Sequence, residues 1–328
     1  MTELAVVVLD DNITRFAPTF DAALPAGATV TFPDPADAAA VRDALRDAQV
    51  LVSGAFTADT AAAAKDLRLL LVPGAGLNGV DLTAVPPDVP VCNTFHHEES
   101  IAEYVLTASV LLRRGFLRQD AALRTGEWLN PVYHPELAYP RTLRGATVGF
   151  VGFGHIGQRA WDLFRAHGAD GVAVTRRGDI DAVDAGLDWS GTIADLDDLL
   201  AAADVVVLSA PLTPETTGLI GAAQLRAMRP SAILVNVGRG PLVDAAALAD
   251  ALRDHEIGGA AIDVWWTYPT AGSHADPTPF PFPEDANVLM TPHSSGLTEH
   301  TFAGRIADMT DNIARLAVGR PLLNVVHR

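Results

Sequence analysis

The chain has 328 residues, of which 49% are hydrophobic and 19% charged, with 40 acidic side chains against 23 basic ones and a formal charge of −17. This is the composition of a globular protein long enough for two domains, and the lack of any Lys/Arg run that could track a phosphate backbone argues against a nucleic-acid partner. A single cysteine, Cys92, excludes an internal disulfide framework and cannot hold zinc alone; it suits a reducing compartment, with the cytoplasm as the expected location.

The first apolar run, Ala5 to Leu9, is broken by Asp10 and Asp11. It is too short to span a membrane, follows no basic leader, and reads as the first strand of a sheet. Short apolar runs then alternate with helical patterns: Val50 to Ser53, Leu69 to Val72, Thr147 to Val151, Val172 to Val174, Val205 to Ser209, Ile233 to Asn236 and Val288 to Thr291. Such alternation predicts an α/β protein with parallel sheets and helical crossovers. Between Pro86 and Asn93 the rhythm stops. A long helix is predicted from about Ser100, with Ile101, Val105, Ala108 and Leu112 on one face and Glu98 and Glu99 favourably placed before it.

That helix reads as a crossing between domains, and a last helical stretch, Thr298 to Leu316, reads as the return. The expected organisation is two Rossmann-like, doubly wound parallel-sheet domains with a cleft between them. A flavodoxin-like substrate-binding domain is expected at 1–98 plus 296–328, and a dinucleotide-binding domain at 99–295. Small-ligand sites favour clefts between domains.

Thr147 to Val151 leads into Gly152-Phe153-Gly154-His155-Ile156-Gly157, after which Trp161, Phe164 and Arg165 continue at helical spacing. This is G-x-G-x-x-G in strand-turn-helix context, a dinucleotide fingerprint. Gly152 allows the tight turn, Gly154 lets a pyrophosphate approach the backbone, and Gly157 lets helix and strand pack closely; the helix N-terminus offers N–H groups to the phosphates. The next strand ends in Thr175-Arg176-Arg177, where an acid would bind the ribose 2′-hydroxyl and an arginine would accommodate a 2′-phosphate. NADP is therefore favoured over NAD, the alternative being that Asp179 or Asp181 folds back to the ribose.

Further segments are Val72-Pro73-Gly74-Ala75-Gly76-Leu77-Asn78-Gly79-Val80-Asp81, Ala210-Pro211-Leu212-Thr213-Pro214-Glu215-Thr216, Asn236-Val237-Gly238-Arg239-Gly240, Ile262-Asp263-Val264-Trp265 and Thr291-Pro292-His293. Together, in this order, they resemble the D-isomer-specific 2-hydroxyacid dehydrogenase family over nearly the whole chain. The resemblance implies hydride transfer between NAD(P)H and a small 2-oxo or 2-hydroxy acid. Arg239 would bind the substrate carboxylate and His293 would act as acid and base, roles that suit a permanently charged planar guanidinium and a group titrating near neutrality. The amides of Ala75 and Gly76 would meet substrate. Cofactor contacts would come from Gly152, Gly154, His155, Ile156, Gly157, Thr175, Arg176, Arg177, Ala210, Pro211, Thr216, Val237, Gly238 and Asp263. A homodimer is also implied, to which the helix at Ser100 to Leu112 would contribute.

The sequence departs from this family where most members carry a glutamate that hydrogen-bonds the catalytic histidine. Tyr268 stands there, followed by Pro269. A tyrosine can orient His293 but supplies no negative charge, so the histidine pKa is expected to lie below that of glutamate-bearing relatives; titration above about pH 8, far over the reference near 6.5, would instead require a hidden carboxylate, with Glu98 and Glu103 as the candidates. His97 is a candidate substrate contact, and Trp265, Trp266 and the Pro269 to Pro283 loop are expected to shape the pocket. His96, His97 and Glu98 are consecutive and cannot face one point, so no metal is expected. Formate-type oxidation of a small anion, or nucleotide sensing with little turnover, are the alternative functions.

Overall fold

A computed structural model describes residues 4–270 and 272–327. Ala271, inside the Pro269 to Pro283 loop, and the terminal residues Met1, Thr2, Glu3 and Arg328 lie outside it. The chain divides into two compact units, 1–96 with 298–328, and 97–297.

The first unit is built on β1 (Leu4–Val8), β2 (Ala28–Thr31), β3 (Val50–Val52), β4 (Leu69–Val72) and β5 (Val91–Asn93). These lie parallel in the order β2-β1-β3-β4-β5, the flavodoxin-type arrangement, and the last strand, Val325–His327, adds antiparallel beside β5. β3 and β4 are buried at every position, as strands covered on both faces must be. β5 falls where the strand rhythm was expected to stop: three residues after Pro90 are too few to show a period, yet pairing with β4 buries all of them. The C-terminal helix, Glu299–Val318, is capped by Thr298 and ended by left-handed Gly319. It packs Phe302, Ile306, Met309 and Ile313 into the same core as β1 and β3. His96, left-handed at φ 67°, reaches Asp308 of this helix at 2.9 Å.

The second unit begins with α1 (Glu98–Arg113), followed by α2 (Phe116–Arg124). Its sheet comprises β6 (Thr147–Val151), β7 (Asp170–Thr175), β8 (Trp189–Thr192), β9 (Val205–Leu208), β10 (Ile233–Asn236), β11 (Gly259–Ile262) and β12 (Val288–Met290), with α3 (His155–Ala166) after β6. All seven strands are parallel in the order β8-β7-β6-β9-β10-β11-β12. This is the Rossmann order with one strand added, and the chain reverses direction across the sheet between β6 and β9, where such sheets open a ligand crevice at the strand carboxyl ends.

The apolar face of α1 packs against α3 and the sheet, burying Ile101, Val105, Ala108 and Leu112.

Candidate active site

The turn after β6 is shaped by its glycines. Gly152 has φ 92°, and a Cβ there would lie 2.7 Å from the Ala210 nitrogen; at Gly157 a Cβ would lie 2.8 Å from the Gly152 carbonyl oxygen. Both positions exclude any other residue. Gly154, the N-cap of α3, has nothing within 4 Å of a built Cβ, so space is open where a pyrophosphate would approach. His155 and Ile156 form the first turn of α3, Ile156 packing against the core. Ser209 Oγ donates to the Gly152 carbonyl at 2.9 Å, joining the carboxyl ends of β6 and β9. These residues fit a nicotinamide dinucleotide.

At the end of β7 the chain turns tightly, Thr175 Oγ1 accepting from the Gly178 N–H at 2.9 Å. Arg176 is exposed and makes no hydrogen bond or ion pair among the described residues. Arg177 pairs with Asp179 at 2.6 Å, and Asp181 caps the next helix by accepting from Val183 and Asp184. Both acids that could have turned back to a ribose are thus engaged elsewhere. Across the switch point, Thr216 Oγ1 donates to the Pro211 carbonyl at 2.8 Å and accepts from Thr213 N–H at 2.7 Å, fixing the turn after Ala210.

β10 presents Arg239. Asn236, wholly buried at the strand end, accepts from Gly238 N–H at 3.1 Å and donates to the Arg239 carbonyl at 3.0 Å, so one side chain holds both sides of the turn. Val237 is buried, and a Cβ on Gly238 would meet Leu242 at 2.7 Å. Arg239 is half-buried; its guanidinium donates to the Gly238 carbonyl at 2.7 Å and meets no carboxylate among the described residues.

After β12 comes His293, in the left-handed conformation at φ 55°. Non-glycine residues adopt it at a cost and concentrate at functional sites when they do. Its Nδ1 lies 3.0 Å from Tyr268 Oη, and that oxygen also accepts from the Trp265 N–H at 3.1 Å. Partial desolvation lowers the His293 pKa from its ordinary value, Asp263 opposes this, and the nearby charge of Arg239 reinforces it.

Asp263 is buried and binds the histidine loop from behind. It accepts from Thr291 Oγ1 at 2.6 Å, Ser294 N–H at 2.9 Å and Ser295 N–H at 3.1 Å, and from Ser295 Oγ. Thr291 Oγ1 also lies 3.0 Å from Tyr104 Oη on α1. Burial pushes the Tyr104 phenol up to about 12, so it keeps its proton at working pH.

Several residues expected at the site have protein partners. Near His293, the charge that opposes the lowering of its pKa is that of Asp263. Asp263, expected at the cofactor, sits behind the loop with both oxygens occupied by protein donors. Trp265, expected at the substrate, is 6% exposed in the core with its indole N–H on the Thr291 carbonyl at 2.8 Å. His97 is the N-cap of α1, packed against Gly296. Asn236, Thr291, Ser294, Ser295 and Tyr104 were not anticipated; of these only Asn236, an Asn at a strand end two residues before a glycine, carries a turn signal in the sequence. In the first unit, the loop after β4 leaves the amides of Ala75 and Gly76 without an acceptor among the described residues, and Asn93 Nδ2 donates to the Ala75 carbonyl at 2.9 Å. Among the described residues no group of three or more His, Cys, Asp or Glu could hold a metal, and no helix is long and apolar enough to cross a membrane.

Residues 106–295 match the family model for the NAD binding domain of D-isomer specific 2-hydroxyacid dehydrogenases. The chain is 31% identical to the glyoxylate reductase of Aeropyrum pernix over 284 residues, 85% of this chain and 82% of that one. A crystal structure of D-lactate dehydrogenase with NAD+ from Lactobacillus jensenii is similar with a TM-score of 0.81 at 25% identity, covering 98% of this chain and 99% of that one. A D-isomer specific 2-hydroxyacid dehydrogenase from Xanthobacter autotrophicus Py2, in complex with NADPH and MES, is similar with a TM-score of 0.77 at 27% identity, covering 99% and 98%. The chain belongs to the D-isomer specific 2-hydroxyacid dehydrogenase family, oxidoreductases that move hydride between a nicotinamide dinucleotide and a small 2-oxo or 2-hydroxy acid.

Proposed function

We propose that the protein reduces small 2-oxo acids, glyoxylate first among those to test, and oxidises the matching D-2-hydroxy acids, with NADP(H) favoured over NAD(H). The observation carrying this reading is the Tyr268–His293 pair held within electrostatic range of an arginine that, among the described residues, has no carboxylate partner in an acid-rich chain. The glyoxylate reductase of Aeropyrum pernix supports the substrate choice. Exposed Arg176, with Asp179 and Asp181 engaged elsewhere, supports NADP, as does the NADPH complex of the Xanthobacter relative.

Arg239 grips the substrate carboxylate bidentately and its charge polarises the neighbouring carbonyl. The Gly152–Gly157 turn, with Thr175, Arg176, Ala210 and Gly238, would hold the dinucleotide, which when bound would supply the hydride donor or acceptor. His293 faces Tyr268 through Nδ1, which leaves Nε2 to give a proton to the carbonyl oxygen in reduction and to take it from the hydroxyl in oxidation. Tyr268 Oη accepts from Nδ1–H and holds the ring; being neutral, it stabilises the imidazolium less than a carboxylate would. Ala75 and Gly76 offer amide donors to the substrate, which gives residues 1–98 and 296–328 the role of substrate domain and 99–295 that of dinucleotide domain. A cytoplasmic homodimer completes the reading; sedimentation tests the assembly.

The functional test is steady-state oxidation of NADPH and, separately, NADH with glyoxylate, hydroxypyruvate, pyruvate and phenylpyruvate, beside Arg239→Ala. Turnover that disappears in the variant and is better with NADPH is expected. Silence with every acid despite tight dinucleotide binding overturns the catalytic reading, and a preference for NADH overturns the role of Arg176.

A further inference from the structure

β4 and β5 lie side by side in the first unit, with Val72 opposite Asn93. The chain leaves β4 through Pro73 and Gly74, and the end of β5 meets it with three donors. Thr94 Oγ1 donates to the Val72 carbonyl at 3.2 Å, Thr94 N–H to the Gly74 carbonyl at 3.2 Å, and Asn93 Nδ2 to the Ala75 carbonyl at 2.9 Å.

A trans peptide is planar, so its C=O and N–H point in opposite directions. The Gly74 carbonyl shares a peptide with the Ala75 N–H, and the Ala75 carbonyl shares one with the Gly76 N–H. Because both carbonyls are drawn to the end of β5, both N–H groups are turned away from it. Neither meets an acceptor among the described residues. Successive N–H groups aimed to one side form a small concavity suited to an anion.

The second of these peptides is gripped by a side chain. Asn93 is 5% exposed, and its own N–H is tied to the Asn324 carbonyl at 3.2 Å, just before the last strand. Its Oδ1 is buried with no hydrogen-bond partner. An amide buried with its acceptor unanswered costs stability, so packing does not account for asparagine at this position. A leucine, with the same branching, would fill the space without that cost. What the amide adds is the grip on the Ala75 carbonyl.

We propose that Asn93 is a positioning residue for substrate recognition: by holding the Ala75 carbonyl it turns the Gly76 N–H outward, toward the carboxylate of the substrate. This rests on the reading that the Ala75 and Gly76 amides meet the substrate. Asn93 is buried and acts through the peptide it holds.

Two variants test this. Asn93→Leu removes the amide and keeps the branching, and Asn93→Asp keeps the shape and loses the donor. In each, KM for glyoxylate is expected to rise about tenfold or more, the loss of one charge-assisted contact. Little change in kcat is expected, because the contact is made alike in the ground and transition states. Oxalate, an unreactive dicarboxylate, is expected to bind more weakly by the same factor in calorimetric titration of protein saturated with dinucleotide. The affinity for NADPH is expected to match the parent's. The melting temperature of Asn93→Leu is expected to stay near the parent's, since removing the unpartnered acceptor offsets the lost hydrogen bond. A lower melting temperature with KM and oxalate binding intact would show a purely structural asparagine and overturns the proposal. A parent protein with neither turnover nor oxalate binding overturns the substrate reading and the proposal together. A parent that shows both, beside variants with unchanged constants, overturns the proposal alone.

Discussion

Tyr268 Oη and His293 Nδ1 stand 3.0 Å apart, and the same phenol oxygen takes the Trp265 backbone N–H at 3.1 Å. The tyrosine is thereby fixed by the strand-end backbone and in turn fixes the imidazole, a geometry a glutamate would also provide but without its charge. Tyr268→Phe removes the oxygen and leaves both donors unanswered. A fall in kcat of about ten- to a hundredfold is expected, within the range of losing a positioned acid–base partner, with KM for the oxo acid little changed. Tyr268→Glu adds the charge, and the pH at which reduction loses half its rate is expected to rise. An unmoved pH profile in Tyr268→Glu would show that the residue at 268 does not set the histidine's protonation.

The pH dependence of the unmodified protein follows from the His293 pKa lying below its ordinary 6.5, through desolvation first, with Arg239 adding to it against Asp263. With His293 as the proposed proton donor, reduction would need the imidazolium, so kcat/KM for the oxo acid is expected to be highest in mild acid and to fall as pH rises through a value below 6.5. Oxidation needs the neutral ring and is expected to hold through neutrality, failing only as pH falls through the same value. Matched pH profiles in the two directions check this; reduction that persists undiminished to pH 8 contradicts it.

Asp263 joins parts of the chain far apart in sequence, since its partners Thr291, Ser294 and Ser295 lie 28 to 32 residues on. Asp263→Asn keeps the shape but turns an amide donor toward groups that are themselves donors. A loss of about 2–4 kcal/mol is expected from the buried groups left unsatisfied, read as a lower urea midpoint. Removing the charge that raises the His293 pKa is expected to move the reduction profile further toward acid. Unchanged stability would mean that the loop is held by other contacts.

How far the sequence revealed this arrangement depended on the reach of the interactions. Runs such as Thr147–Val151 and Ile233–Asn236 are buried on both faces, so composition alone marks them as strands. The edge strands Ala28–Thr31 and Trp189–Thr192 are only partly buried and lack that signature. Arg239, His293 and Tyr268 stood out by position in motifs. The work of Asp263 did not, because nothing next to it names the donors it meets. Trp265 misled for the converse reason: an aromatic beside a site motif reads as pocket lining, while here its indole N–H serves the Thr291 carbonyl from within the core.

Gly152 and Gly154 are two residues apart and should fail in opposite ways. A Cβ at Gly152 would press on the Ala210 backbone from a left-handed conformation, and backbone cannot swing aside as a side chain can, so Gly152→Ala is expected to destabilise the fold by about 1–3 kcal/mol or more. At Gly154 the backbone is extended, at φ −85°, and the space for a Cβ is empty. Gly154→Ala is therefore expected to leave the melting temperature of the free protein nearly unchanged while weakening the dinucleotide, because the added methyl occupies the path of the pyrophosphate to the α3 N-terminus. Thermal melts with and without NADPH separate the two effects. A Gly154→Ala protein stabilised by NADPH as much as the parent would place the pyrophosphate elsewhere.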